Sequence, residues 1–281
     1  LHLGLQCPWQ SIENLERKRS GDILDNYENF RQSMCGDPLE EITQFFPDTL
    51  THNPPVLNDK LFSAEVCQEN EIWIGSLDEA ATVNKTALIG GQIVKKDDKI
   101  KLIVRNLDII SGDYPIQKAK VIANIKAMKY KYFAPDSSGF GGINWESELR
   151  QQCQETPILG ISYGKKDWAE ESNRNNKGMM FEKTKDLMQQ GIIEIPNNQM
   201  LLQQLSRTEK KVYTHSTEYS GKGDGKYDDD LACALCQLCL LFYRMYLKNT
   251  ELTKEISGMN VYPRASITST GIRYQKRSRF L

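Results

Sequence analysis

The chain has 281 residues, 39% of them hydrophobic and 26% charged, with a formal net charge of −1. That length and balance describe a folded globular protein of one large domain or two modest ones. They exclude a chain-wide basic character, so any nucleic-acid binding has to come from local patches. Seven cysteines, an odd number without framework spacing, point to a reducing compartment rather than a disulfide scaffold. The longest apolar run, Leu231 to Tyr246, is interrupted by Gln237 and Arg244 and does not read as membrane-spanning. No charged-then-apolar leader is readable, and the start at Leu1 suggests a piece of a longer polypeptide.

Residues 1–66 are irregular and rich in charge and proline, with a short helix expected inside "DPLEEITQFFPDTLTHNPPVLND". This region is expected to wrap another domain instead of holding its own core. From Glu71 the pattern becomes regular. "EIWIGSLDEA", "TALIGGQIV" and "KIKLIVRNLDII" are apolar, β-branched runs between short polar turns, and predict three consecutive antiparallel strands. "YPIQKAKVIANIKAMK" predicts a helix with Ile116, Ala119, Val121, Ile122, Ile125 and Met128 on a broad apolar face.

"YKYFAPD" is a fourth strand ending at Asp136, "WESELRQQC" a short helix, and "PILGISYG" a fifth strand. "KGMMFEKTKDLMQQG" is a helix stopped by Gly191, followed by the strand "IIEIP". "NNQMLLQQLSRTEKK" is a further helix capped by Asn197 or Asn198. Three strands followed by strands alternating with helices describe an α/β protein, a mixed sheet with helices on both faces.

Acidic residues stand where propensity does not ask for them. Asp78 lies in the otherwise apolar first strand, Asp136 ends the fourth, and Asp229 and Asp230 open the last helix. If the first and fourth strands are neighbours, the two strand aspartates lie side by side and the helix start supplies a third. Clustered carboxylates stay ionised only when cations neutralise them, and oxygen ligands favour Mg²⁺ or Mn²⁺ over zinc. Two such ions about 4 Å apart can activate water and stabilise the leaving oxygen in phosphodiester cleavage. Taken singly, Asp136 also reads as a turn residue and Asp229 as a helix cap.

These residues resemble a known family, the C-terminal nuclease domain of the large terminase subunit of double-stranded DNA viruses, of the tailed-phage or herpesvirus type. "IGSLDEAATVNKTALIGG" resembles its first strand and hairpin, with Asp78 as first metal-binding aspartate. "YFAPDSSGFG" is similar to its second motif, an Asp followed three residues later by Gly, and assigns Asp136. The segment from "ILGISYG" through "IIEIP" to "MLLQQL" resembles the family's middle segment, and "DDDLACAL" its closing motif. The resemblance covers roughly residues 70–245.

It implies a ribonuclease H-like fold and an endodeoxyribonuclease that cuts concatemeric viral DNA during genome packaging with two Mg²⁺ or Mn²⁺ ions. Catalytic and metal-binding roles fall on Asp78, Asp136, Asp230 and Asp229. Two residues separate Gly75 from Asp78 where the family has one, leaving Glu79 as a substitute, and Asp228 stands where the family has His. Residues 1–66 would then be a connector and the end of a missing ATPase motor, 67–250 the nuclease domain, and 251–281 a basic tail. Implied partners are double-stranded DNA, the motor of the same polypeptide, the portal and the small terminase subunit, inside an infected bacterial cytoplasm or host nucleus, with no membrane and no secretion. A resolvase or transposase-like nuclease of the same fold and a non-catalytic DNA-binding module are the alternatives.

Other signals carry less. "GKGDGK" lacks Walker spacing, so no ATPase activity is expected, and it is not an EF-hand loop. Cys233, Cys236 and Cys239 read as core packing, because on one helix they turn through more than half a circle. DNA-phosphate contacts are assigned to Lys165, Lys166, Arg174 and Lys177 in and after the polar loop, and to Lys222 and Lys226. Lys118, Lys120, Lys126, Lys129 and Lys131 read as a solvated helix face.

Overall fold

The computed structural model describes residues 44–51, 56–57, 71–79, 85–96, 99–165, 175–212, 217–222 and 228–247. The elements, in chain order, begin with α1 (Asp48–Thr51), β1 (Val56–Leu57), β2 (Ile72–Asp78), β3 (Thr86–Lys96), β4 (Lys99–Ile110), α2 (Tyr114–Met128) and β5 (Tyr132–Pro135). They continue with α3 (Gly139–Gln152), α4 (Asn176–Gln189), β6 (Ile193–Pro196), α5 (Gln199–Ser206), β7 (Glu209–Val212), β8 (Thr217–Ser220) and α6 (Asp230–Phe242). A π-helical turn, Tyr243–Leu247, extends α6. Most of the 1–66 region, the polar loop with Lys166 and Arg174, Lys226, all three histidines and the basic tail lie outside the described residues.

The main sheet has six strands in the order β1-β6-β4-β3-β2-β5. β2 to β4 pair antiparallel in sequence, while β5 joins β2, β6 joins β4 and β1 joins β6 in parallel. This is the mixed sheet of an α/β protein, as expected from the sequence.

Alternation along β2 sorts its side chains between two cores. Ile72 and Ile74 pack with the apolar residues of α4, α5 and α6, and with Phe45, Phe46 and Leu50 from the N-terminal region. Trp73 and Leu77 face Val121, Ile125 and Met128 of α2 and Trp145 and Leu149 of α3. Both faces are covered, so every residue of β2 is buried. By the same parity Ser76 and Asp78 point to the α6 side. In β5, Ala134 does too, and Asp136 follows two residues later.

Helix limits follow local chemistry. The Asn175 and Asn198 side chains cap α4 and α5 by accepting from Gly178 N and Leu201 N. Gly191, at φ 63°, stands just past α4 in the left-handed region. Pro115 opens α2 and Lys129, at φ 47°, closes it.

Five expectations need correction. The apolar face of α2 is narrower than expected: Gln117, Val121, Ile125 and Met128 are buried, while Ile116 is 51% exposed and Ala119 is also exposed. Gln117 is inside because its amide accepts from the Thr86 hydroxyl at 2.5 Å and donates to Gly112 O at 2.6 Å.

Helix α3 starts at Gly139, well before Trp145. Its glycines permit close approach there, since a Cβ on Gly142 would lie 2.7 Å from the Asp136 carbonyl oxygen.

"PILGISYG" forms two isolated bridges, Phe133↔Ile158 and Asp136↔Ile161, rather than a regular strand. Rungs run from Leu159 N to Phe133 O and from Ile161 N to Pro135 O. Pro135, between them, has no N–H to supply the intervening one.

Helix α5 ends at Ser206, and "EKKV" pairs with β8 as a hairpin instead of continuing the helix. Tyr219 of β8 stacks on Phe181 with centroids 5.4 Å apart, and Tyr219 and Lys210 both bind Glu182. Such a ring pair adds about 0.5–1.5 kcal/mol beyond burial, enough to override helix propensity at three residues.

The 18-residue stretch Asp230–Leu247 is long and apolar enough to cross a membrane, which the sequence reading did not allow. Most of it is buried against the sheet and α4, so its apolarity serves the core. Cys233, Cys236 and Cys239 are buried along it as free thiols.

Candidate functional site

The parallel register of β2 and β5 pairs Ile74 with Tyr132 and runs to Leu77 with Pro135. The next residues on each strand are Asp78 and Asp136, and Asp136 N donates to Leu77 O at 2.9 Å. The two carboxylates therefore stand side by side on the α6 face, at one end of the sheet. Ser76 Oγ donates to Ala234 O at 2.7 Å and ties β2 to the first turns of α6. That contact brings the helix start, with Asp229 and Asp230, to the same end.

The electrostatics record the crowding. Burial first, then the charges of Asp136 and Asp230 and more weakly that of Asp229, push the Asp78 carboxyl well above the usual range. The Tyr163 hydroxyl, donating to Asp78 Oδ1 at 2.9 Å, opposes that shift. Burial also raises Asp136, opposed by the Ser138 N–H on its Oδ1 at 2.7 Å and by the Lys177 charge. Asp230 is pushed up to about 6 by burial and by Asp229 and Asp228.

Asp229 differs from its neighbour. Its buried carboxylate accepts from Gly221 N at 3.1 Å and pairs with Lys222 Nζ at 3.5 Å. It occupies the N-cap position of α6 without a side-chain cap bond. Asp229 is thus held by the β8 exit, and Asp230 weighs more heavily on Asp78.

Glu79, set aside in the sequence as a substitute for Asp78, lies beside it. Burial and Asp136 push it to about 8, and its Oε2 is buried with no hydrogen-bond partner. A buried carboxylate oxygen without a donor is costly as an anion.

Among the described residues no three His, Cys, Asp or Glu side chains close around one point as a ready cage. The donors are nevertheless all oxygen, come from rigid elements, and carry charge that burial and mutual repulsion oppose. In chemistry they suit a hard divalent cation, with Asp78, Asp136 and Asp230 as the residues that could hold it.

Of the predicted phosphate contacts, Lys177 faces the site: it acts on Asp136 and lies 5.8 Å from the Tyr163 ring centroid. Lys165 is exposed where the polar loop leaves the sheet, and its carbonyl accepts from Asn176 N, so both loop ends are rooted beside the site. Lys222 is there too, its ammonium paired with Asp229. Lys118 pairs with Glu148 and lies 4.2 Å from the Tyr114 ring centroid, and its charge bears on Glu79.

Sequence reasoning missed four residues. Tyr163 and Gln237 touch the strand ends, and Lys85 and Arg207 line a cavity of about 240 Å³ beside Asp230 and Asp228. A lone amide inside the apolar run of α6 was the one available signal for Gln237.

No protein-family model matches the chain, and no curated protein matches it. Among solved structures it is similar to the magnesium-bound large terminase nuclease from thermophilic phage G20c, at 16% identity and TM-score 0.49, covering 63% of this chain and 84% of that one. A variant nuclease domain of the large terminase subunit of bacterial virus Sf6, with manganese, is 10% identical with TM-score 0.48 over 66% and 98%. The large terminase of bacteriophage HK97 is 12% identical with TM-score 0.43, over 83% of this chain and 51% of that one. The solved structures similar to this chain thus include large terminase nuclease domains from several phages.

Proposed function

We propose that the chain is a metal-dependent endodeoxyribonuclease that cuts concatemeric viral double-stranded DNA during genome packaging, using two Mg²⁺ or Mn²⁺ ions. The observation that carries this reading is the pairing of Asp78 with Asp136 on neighbouring parallel strands, facing the acidic start of α6. The four sequence stretches that resemble the terminase nuclease motifs support it independently.

A bound divalent ion supplies Lewis acidity that polarises the phosphodiester and activates water. The chain's own groups do the rest. Asp78, Asp136 and Asp230 hold the cations, while Asp229, anchored on Gly221 and Lys222, keeps the helix start in place. Lys177 and Lys165 meet phosphate oxygens near the strand ends, and Lys166, Arg174 and Lys226 add phosphate contacts of the same kind. Such contacts position the duplex without reading its sequence.

The rest of the reading follows from the resemblance. Residues 1–66 connect to an ATPase motor and 251–281 form a basic tail. The enzyme works with the portal and small terminase subunit inside the infected cell.

Plasmid nicking in Mn²⁺ by wild type and Asp136→Ala tests the proposal. Nicking by wild type alone is expected. Absence of nicking by a wild type that binds DNA sinks the activity, and equal nicking by Asp136→Ala sinks the site.

A further inference from the structure

Gln237 is fully buried in α6, flanked by Cys236 and Leu238. With the amide oriented by its neighbours, its nitrogen donates to Leu77 O at 2.9 Å and its oxygen accepts from Asp136 N at 3.2 Å. It therefore spans the rung that joins β2 to β5 directly beneath Asp78 and Asp136. The same oxygen lies 3.2 Å from the Tyr163 hydroxyl, which is also 2.9 Å from Asp78 Oδ1. A phenol carries one proton, so Tyr163 can serve only one of these two acceptors at a time.

We propose that Tyr163 and Gln237 form a positioning pair in which the phenol hydroxyl donates to Asp78 Oδ1 in the cation-free site and turns to donate to the Gln237 oxygen when Asp78 takes a cation. This rests on the nuclease reading above. No bond is broken; the hydroxyl rotates between two acceptors already within reach. The neighbouring α6 positions are apolar and methionine has a similar shape, so Gln237→Met keeps the volume while removing the amide's bonds to Leu77 O, Asp136 N and Tyr163. What the amide adds is a second home for the proton, freeing both Asp78 oxygens for a cation. Without it the hydroxyl keeps donating to Asp78 Oδ1 and competes there with the ion.

The test is calorimetric titration of Mn²⁺ into the full chain, for wild type, Gln237→Met, Tyr163→Phe and the double variant, with near-UV circular dichroism to verify folding. Gln237→Met is expected to bind Mn²⁺ about tenfold more weakly, in the range for groups that orient metal ligands. Adding Tyr163→Phe removes the competing proton and is expected to restore near-wild-type affinity. A merely structural role gives a double variant at least as weak as Gln237→Met, and that result overturns the proposal, as does unchanged affinity in Gln237→Met. If Gln237→Met does not fold, Tyr163→Phe alone decides: affinity equal to or tighter than wild type supports the pair, and a tenfold loss overturns it. A wild type that binds no Mn²⁺ overturns the nuclease reading itself, whereas binding without rescue overturns only the positioning pair.

Discussion

The Ser76 hydroxyl donates to the Ala234 carbonyl at 2.7 Å, linking the strand that ends in Asp78 to the helix that begins at Asp230. Both residues are fully buried, and 158 positions separate them. Ser76→Ala is expected to cost about 1 kcal/mol, the usual net worth of one such bond. Urea unfolding of wild type and variant measures it, and an unchanged midpoint would show that the strand and helix are held by packing alone.

Asp136→Asn removes one of two adjacent buried charges while keeping its volume. Without metal the variant is expected to be at least as stable as wild type, because repulsion with Asp78 is relieved. With Mn²⁺ the wild type should gain thermal stability and the variant should lose most of that gain. Melting curves with EDTA and with Mn²⁺ give both comparisons, and equal stabilisation of the two proteins counts against Asp136 as a ligand.

Metal-free stability should fall as pH rises. Glu79 is pushed from 4.5 to about 8 and Asp230 from 3.8 to about 6. Both acids hold their protons more tightly folded than unfolded, so their contribution is complete below about pH 4 and is lost as pH climbs through 6 and 8. Glu79→Gln should flatten the upper part of the decline and Asp230→Asn the lower part. Melting temperature against pH in EDTA reads both, and a profile that rises from pH 5 to 8 in wild type contradicts the assignment.

Lys85 and Arg207 line the cavity beside Asp230. If DNA phosphates pass there, Lys85→Ala and Arg207→Ala weaken binding to any sequence alike, and each lowers the salt dependence by about one counterion. Fluorescence anisotropy at several salt concentrations, in Ca²⁺ to block cutting, measures the slope. A slope unchanged in both variants moves the DNA path to the Lys165–Lys177 side.

Much of the candidate site was legible because strand ends and helix starts are marked locally. Asp78 follows an alternating apolar run, Asp136 precedes a glycine cluster, and Asp229 and Asp230 precede an apolar helix. The hairpin of Glu209–Ser220 was not legible, since lysine and glutamate favour helix until Tyr219 stacks on Phe181. Tyr163 was hidden too: 85 residues separate it from Asp78, and nothing in its own neighbourhood marks a partner.

By itself, then, the order of residues determined the alternating strands, the capped helices and the three places where carboxylates would be expensive to bury. Those are matters of period and local chemistry, written within a few residues of each other. Only tertiary structure decided that Leu77 pairs with Pro135, which sets Asp78 beside Asp136, and that Gln237 lies under that rung. It also decided that Asp229 is committed to Gly221 and Lys222 while Asp230 weighs on Asp78. Register and helix docking are long-range choices, made by the packing of two cores on one sheet, and no local pattern contains them.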